Sequence, residues 1–463
     1  MFLENDNKTI KSSPKFLYSG VFVWLIAILT YIFWICDLGF VGVFVLLLLS
    51  ATLFCICRDT TPNIAIIVLM CFAFDDINIT TLDIILVSLG VAFVVAGIIV
   101  HLFRFKPSFD FLKPNKIKGY TFAVFLILPP VALGGINLAG RNVGISALIV
   151  LMFIAMSLMY VLFYATTQNF QKEKLLEVLA RLFMVMGVLI CLQMLTIALK
   201  CGSLEAIKVA IGYRKFSYGW AHPNNVAIFL ALSIATTLYY AAKLKKFAFL
   251  PIMLAVLEFA VMFLTTSRGA ILFTAIALPF IAIFVFFKAQ NRKQVGISYA
   301  VCILVVAVLA IILRDKIMQT FSRIFELGLS DNGRFEIYEN AVALFKSSPV
   351  FGVGLDYGFG VWGTYQIYWF HSTAFQILAC FGILGVLSFA YFFIMRYRAF
   401  LIKPSTVKIF MLAGLLLLEG YGMIDIVFFN TFAYMIMMFI CLGAEKTLND
   451  KQGLAFPKFK QIK

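Results

Sequence analysis

The chain is short of charge. Only 13% of its 463 residues are Asp, Glu, Lys or Arg, while 63% are hydrophobic. A soluble domain carries about a quarter charged residues, so a soluble globular fold is excluded and an all-α polytopic membrane protein is expected. Histidine is scarce as well, with three residues at 101, 222 and 371. The nine cysteines are scattered through apolar runs, Cys55 and Cys57 being the nearest pair, and none has metal-ligand spacing. Inert buried thiols are the expected state, and no metal site is read from them. Low-complexity tracts and strong internal repeats are also lacking, so nothing divides the chain into separate soluble modules.

What is present is apolar length. Runs long enough to span a bilayer begin near residues 16, 38, 62, 81, 119, 144, 176, 225, 247, 269, 295, 371, 405 and 424. They predict about fourteen transmembrane helices in a single membrane domain over 1–463, with the third, at 62–74, the shortest. The first run follows a polar start bearing Lys8, Lys11 and Lys15. It is too long for a signal-peptide core and has no small-residue cleavage site, so an uncleaved first span is expected. Pro129-Pro130 followed by Gly134-Gly135 is expected to break the fifth helix.

The net charge of +16 sorts by loop. With the N-terminus in the cytoplasm, 27 of the 38 basic residues fall on the cytoplasmic side, the ordinary positive-inside bias. No nucleic-acid partner is needed to explain the basic balance. The eleven that remain outside are Arg141, Lys200, Lys208, Arg214, Lys215, Arg268, Arg314, Lys316, Arg323, Arg334 and Lys346. Several belong to the one long external loop, 314–370. In it Ile317, Phe321, Ile324 and Phe325 form one apolar stripe. Phe335, Tyr338, Val342 and Phe345 form another, after a cap at Asp331 or Asn332. The segment SSPVFGVGLDYGFG follows, and its glycines permit tight backbone and close approach; its spacing is not that of a dinucleotide fingerprint.

Arg268 is the sharpest feature. It stands in TTSRGA between two apolar runs, and a guanidinium stays charged at any physiological pH. In the alternating topology, even-numbered helices start at the outer face, where their N-termini attract anions. One starts right after Arg268, one at HPNN (222–225) downstream of Arg214, and one at WFHSTAFQIL, with His371 in its first turn. Arg334 lies in the loop above. Together they suit a multiply charged phosphate at the membrane surface. The plainer alternatives are snorkelling for Arg268, a solvated helix face for Arg334, and lipid phosphate for Arg214. A structural role at a helix start covers His222, and an interfacial role covers His371. Glu258 is costly in lipid and is expected to pair with one of these arginines rather than to serve as a proton site.

TTSRGA, then GRFEIYENAVALFKSSPVFGVGLDYGFG, then HSTAFQILACFGILG resembles the O-antigen ligase and polymerase superfamily. These are GT-C-like membrane glycosyltransferases that include Wzy-type repeat-unit polymerases and WaaL-type ligases. The upstream GYRKFSYGWAHPNNVAIFL is similar to the family's arginine and His-Pro-Asn segment. The resemblance covers roughly 205–390, with Tyr338 where many relatives have Trp. It implies that Arg268, Arg334 and, less directly, Arg214 hold a lipid diphosphate, with His371 catalytic; Glu258 and His222, read from their positions alone, are candidates for a supporting role. The implied donor is an undecaprenyl-diphosphate-linked glycan, handled at the outer face of a bacterial cytoplasmic membrane without metal, nucleotide sugar or other cofactor. In agreement, no DxD-like external carboxylate pair occurs beyond Asp75-Asp76. A chain-length regulator and a flippase are implied partners. A repeat-unit polymerase making O-antigen, capsule or exopolysaccharide is the favoured expectation. A ligase acting on lipid A-core or another acceptor stays open, as does a lipid-linked glycan transporter or flippase. Against the transporter, the charges crowd one face instead of the midplane.

Overall fold

The computed structural model describes residues 15–74, 79–137, 142–167, 174–218, 222–312, 314, 333–361, 364–448 and 452–455. In chain order the α-helices are α1 (Gly20–Ile35), α2 (Gly39–Ile56), α3 (Thr61–Met70), α4 (Thr81–Phe105), α5 (Gly119–Leu126), α6 (Leu128–Leu133), α7 (Val143–Thr166), α8 (Lys174–Lys200) and α9 (Leu204–Gly212). They continue with α10 (Pro223–Lys243), α11 (Phe249–Met262), α12 (Arg268–Lys288), α13 (Arg292–Ile312), α14 (Arg334–Ser347), α15 (Thr373–Leu401), α16 (Thr406–Gly422) and α17 (Thr431–Lys446). The fold is the all-α polytopic membrane architecture that the apolar runs imply. Each of the fourteen runs holds a helix, and among the described residues seven helices are long and apolar enough to cross a membrane. The third run is a ten-residue helix buried along nearly its whole length.

α10 is the hub. Its residues are buried on every side, as expected for a helix apolar all round, and it packs against α8, α11, α12 and α16. α4 and α13 instead show broad apolar faces outward, including Ile84, Phe93, Ile303 and Leu304. Such a face is stable only against lipid. At the end of the bundle away from α10's N-terminus, Glu445 ties α17 to α5. Its carboxylate accepts from the Tyr120 and Thr121 backbone N–H groups and from the Thr121 and Tyr160 hydroxyls.

Several expectations are corrected. The last helix begins at Thr431 and not near 424. Residues 423–430 contain a turn and a short 3-10 segment, Val427–Phe429, whose apolar side chains bury and so read as helix in sequence. The fifth run breaks as expected, at Ile127, with its two prolines opening α6. α14 realises the second amphipathic stripe, yet it is capped by Gly333 at φ 75° with no side-chain bond, not by Asp331 or Asn332. Its buried centre is Ala341, and Phe335 is 69% exposed. The first stripe, Ile317 to Phe325, and Asp75-Asp76 lie outside the described residues.

The glycine-rich segment does something that composition does not announce. Gly358–Val361 (β1) and Thr364–Ile367 (β2) form an antiparallel hairpin in which Gly358 pairs with Ile367 and Val361 with Thr364. Just before it, residues 349–354 run into a break in α15. Gly382 there has φ 57° and ψ −153°, a conformation open to glycine. The break frees backbone groups, and the segment takes them up. Val353 and Gly354 N–H donate to the Ala379 and Cys380 carbonyls, while Ile383 N–H donates to the Pro349 carbonyl. Gly135 N–H closes the arrangement on the Gly352 carbonyl. Irregular backbone within a bilayer is stable only when buried in protein or lining a cavity, with its polar groups paired.

Candidate functional site

The site forms where the starts of α10, α12 and α14 meet the end of α16. A cavity of about 390 Å³ there is lined by Arg214, His222, Asn224, Thr265 to Gly269, Arg334 and Tyr421, among others. The three arginines that the sequence singled out are therefore brought together around one space.

Local geometry explains how. Phe263–Thr265 is a 3-10 turn, and Thr266 follows at φ 54° in the left-handed region, reversing the chain. Ser267 is then the N-cap and Arg268 the first residue of α12. The Arg268 side chain is exposed toward the cavity mouth and has no carboxylate partner among the described residues. Gly269 lets α12 approach α16, for a Cβ there would stand 2.4 Å from Ile424 Cδ1 and 2.8 Å from Tyr421 Cε2. Arg334 opens α14 and is half-buried.

Arg214, at φ 56°, places Nη1 3.0 Å from His222 Nε2. A guanidinium only donates, so Nε2 accepts and the imidazole is neutral. Burial and then the Arg214 cation push the His222 pKa down, with Asp425 opposing and His371 adding to the shift. His222 Nε2 is thus the acceptor that fixes Arg214; the ring proton is then on Nδ1, so the imidazole does not also accept from the Asn224 N–H 3.3 Å away.

His371 is exposed and sits two residues before α15, not within its first turn, because Ser372 is the N-cap and His371 itself takes φ 47°. The left-handed backbone turns the imidazole toward Asp425, with Nδ1 3.7 Å from Oδ1. Asp425 is the residue that sequence reasoning missed. It accepts from Asn224 Nδ2 at 2.9 Å, from the Tyr421 hydroxyl at 2.7 Å and from the Ile426 N–H at 2.8 Å. Burial alone would raise its pKa, but the contacts from His371, Tyr421, Ile426 and Asn224 outweigh it and hold the carboxyl down at about 2. The available signal was weak: a lone acid in GYGMIDIVFFN, at what was taken as a helix start.

Glu258 is not part of this site. It is fully buried between α11 and α10, where Oε1 accepts from the Ser233 hydroxyl at 2.7 Å and the Thr237 hydroxyl at 3.1 Å. No arginine reaches it among the described residues, so the expected ion pair is overturned; hydroxyls on a facing helix hold Oε1, and Oε2 is buried without a hydrogen-bond partner among the described residues. His101 is buried elsewhere, with Nδ1 at the Phe54 carbonyl. Among the described residues no three His, Cys, Asp or Glu side chains are grouped as a metal would require.

The arrangement offers three fork-shaped cations around a cavity at helix N-termini, an environment for a polyanion. Beside it stands His371, whose Nδ1 faces the ionised Asp425 carboxylate at 3.7 Å, an arrangement that can orient the ring. A comparison with curated proteins finds no match. Residues 252–390 match the family model described as O-antigen ligase, a stretch that contains Arg268, Arg334 and His371 and begins after Arg214 and His222. On that stretch the chain, whose long apolar helices are those of a multi-pass membrane protein, is similar to the O-antigen ligase family.

Proposed function

We propose that the protein is a glycosyltransferase that polymerises undecaprenyl-diphosphate-linked oligosaccharide repeat units at the outer face of a bacterial cytoplasmic membrane. The observation that carries this reading is the convergence of Arg214, Arg268 and Arg334 on one cavity beside the His371–Asp425 pair. The arginines bind the donor's diphosphate and stabilise the charge that grows on it as the glycosidic bond breaks. His371 Nδ1 is turned to Asp425, which leaves Nε2 to accept the acceptor hydroxyl's proton. The hydroxyl oxygen then attacks the anomeric carbon opposite the diphosphate. The carbon–oxygen bond to the diphosphate breaks, its electron pair leaves with the diphosphate, and configuration at that carbon inverts. Asp425 stabilises the imidazolium so formed. The partners in this reading are the lipid-linked glycan and membrane lipid, with a chain-length regulator and flippase acting in the same process.

A ligase that transfers the glycan to another acceptor is the second reading, favoured by the description of the matching family as O-antigen ligase. It uses the same donor site. Purified protein given lipid-linked repeat units alone distinguishes the two. A polymerase makes a ladder of longer lipid-linked products, and a ligase makes none until a separate acceptor is added. Donor carried across vesicles with no new glycosidic bond would refute both and favour a transporter.

A further inference from the structure

Tyr338 stands one helical turn after Arg334 on α14, so the two side chains leave neighbouring points of one face. Its hydroxyl donates to the His371 carbonyl at 3.2 Å. Its ring lies flat on Phe375, with centroids 4.4 Å apart and planes 11° apart. Phe375 belongs to the first turn of α15. The backbone held in this way is unusual, for His371 is at φ 47°, which a residue with a Cβ adopts only where its surroundings enforce it. Burial raises the phenol's pKa, with Arg334 opposing and Asp425 adding, so the hydroxyl stays a donor through the physiological range.

We propose that Tyr338 is a positioning residue for His371. The inference rests on the reading of His371 as the base. α14 holds the anionic leaving group through Arg334 and fixes the histidine's backbone through Tyr338, so one rigid helix sets the distance between the two halves of the chemistry.

Tyr338→Phe keeps the ring and its stack and removes only the hydroxyl. In the full-length protein in nanodiscs with lipid-linked donor, kcat should fall about tenfold or more, as sub-ångström displacement of a base would cause. KM and donor affinity should stay unchanged. Phe375→Leu, which removes the flat partner and keeps the hydroxyl, should lower kcat by less and again leave KM alone. In a His371→Ala background Tyr338→Phe should have no further effect, because the group it positions is gone. The proposal is overturned by a wild-type kcat in Tyr338→Phe, by a change confined to KM, or by an equal slowing in the His371→Ala background. Full transfer by His371→Ala itself would instead refute the parent reading and this inference with it.

Discussion

Replacing Asp425 by asparagine removes one charge and no volume, which isolates what the carboxylate contributes. Oδ1 lies 3.7 Å from His371 Nδ1. A unit charge pair at that separation is worth about 1 kcal/mol in water and about 4 kcal/mol at the effective dielectric near a protein surface. The aspartate side chain is 14% exposed and the histidine 46%, so solvent screening removes much of the upper figure, leaving about 1.5–2.5 kcal/mol. If the imidazolium forms in the transition state, that converts to a kcat/KM lower by about 10- to 70-fold. Donor affinity should be unchanged, because the arginines hold the diphosphate. The assay is glycosyl transfer by purified protein from a defined lipid-linked donor, under both saturating and limiting donor, from pH 5 to 9. Full activity in Asp425→Asn, or a loss seen only as weaker donor binding, would refute the reasoning. The pH range matters for the sign. Asp425 is held down at about 2, below the ordinary carboxylate value near 4. Its stabilising contribution is present above that ordinary value and is lost as pH falls toward 2. Any decline of wild-type rate between pH 7 and 5 therefore belongs to another group.

Arg268→Lys keeps the charge and loses the fork, so it should impair glycan transfer nearly as much as Arg268→Ala, by about 10²-fold each; full transfer by the lysine variant would reduce Arg268 to an interfacial anchor. Gly269→Ala brings a methyl within 2.4 Å of Ile424 Cδ1 and should cost about 1–3 kcal/mol together with activity, measured by thermal melting in detergent and by transfer. Glu258→Gln preserves size and the acceptor used by Ser233 and Thr237, so glycan synthesis should continue at the wild-type level; its loss would restore an ionic role for this carboxyl. Lys346 is exposed on α14, and Lys346→Cys in a chain otherwise without cysteine should react with an impermeant maleimide in intact cells. Reaction only after permeabilisation would reverse the proposed orientation.

Helices were legible in the sequence because apolar length needs no partner to be read. Arg214, His222, Arg268, Arg334 and His371 were legible because a cation or histidine at an interrupted apolar run has few other uses. Asp425 was not, since its meaning depends on Asn224, some two hundred residues away, and on Tyr421 one turn before it. The turn that carries it was hidden for a related reason. Met423, Ile424, Ile426, Val427, Phe428 and Phe429 are apolar, so no polar residue but the aspartate marked the end of a span. Glu258 was misassigned because charge pairing was weighed ahead of hydroxyl groups on α10, which sequence alone does not bring to face it. The hairpin and the paired break in α15 rest on backbone hydrogen bonds between distant segments, and side-chain pattern carries little of that information.

The break at Gly382 also fixes an order of events during synthesis. Residues 349–354 emerge before the groups they bond, which lie at 379–383. Until those later residues have been inserted, the earlier segment has no place in the membrane and waits at its surface. The two portions of α15 on either side of Gly382 likewise end in bare peptide groups until that segment arrives, and each group left unpaired in hydrocarbon costs several kcal/mol. The loop bearing Arg334 therefore reaches its final seat only after residues 379–383 have been made.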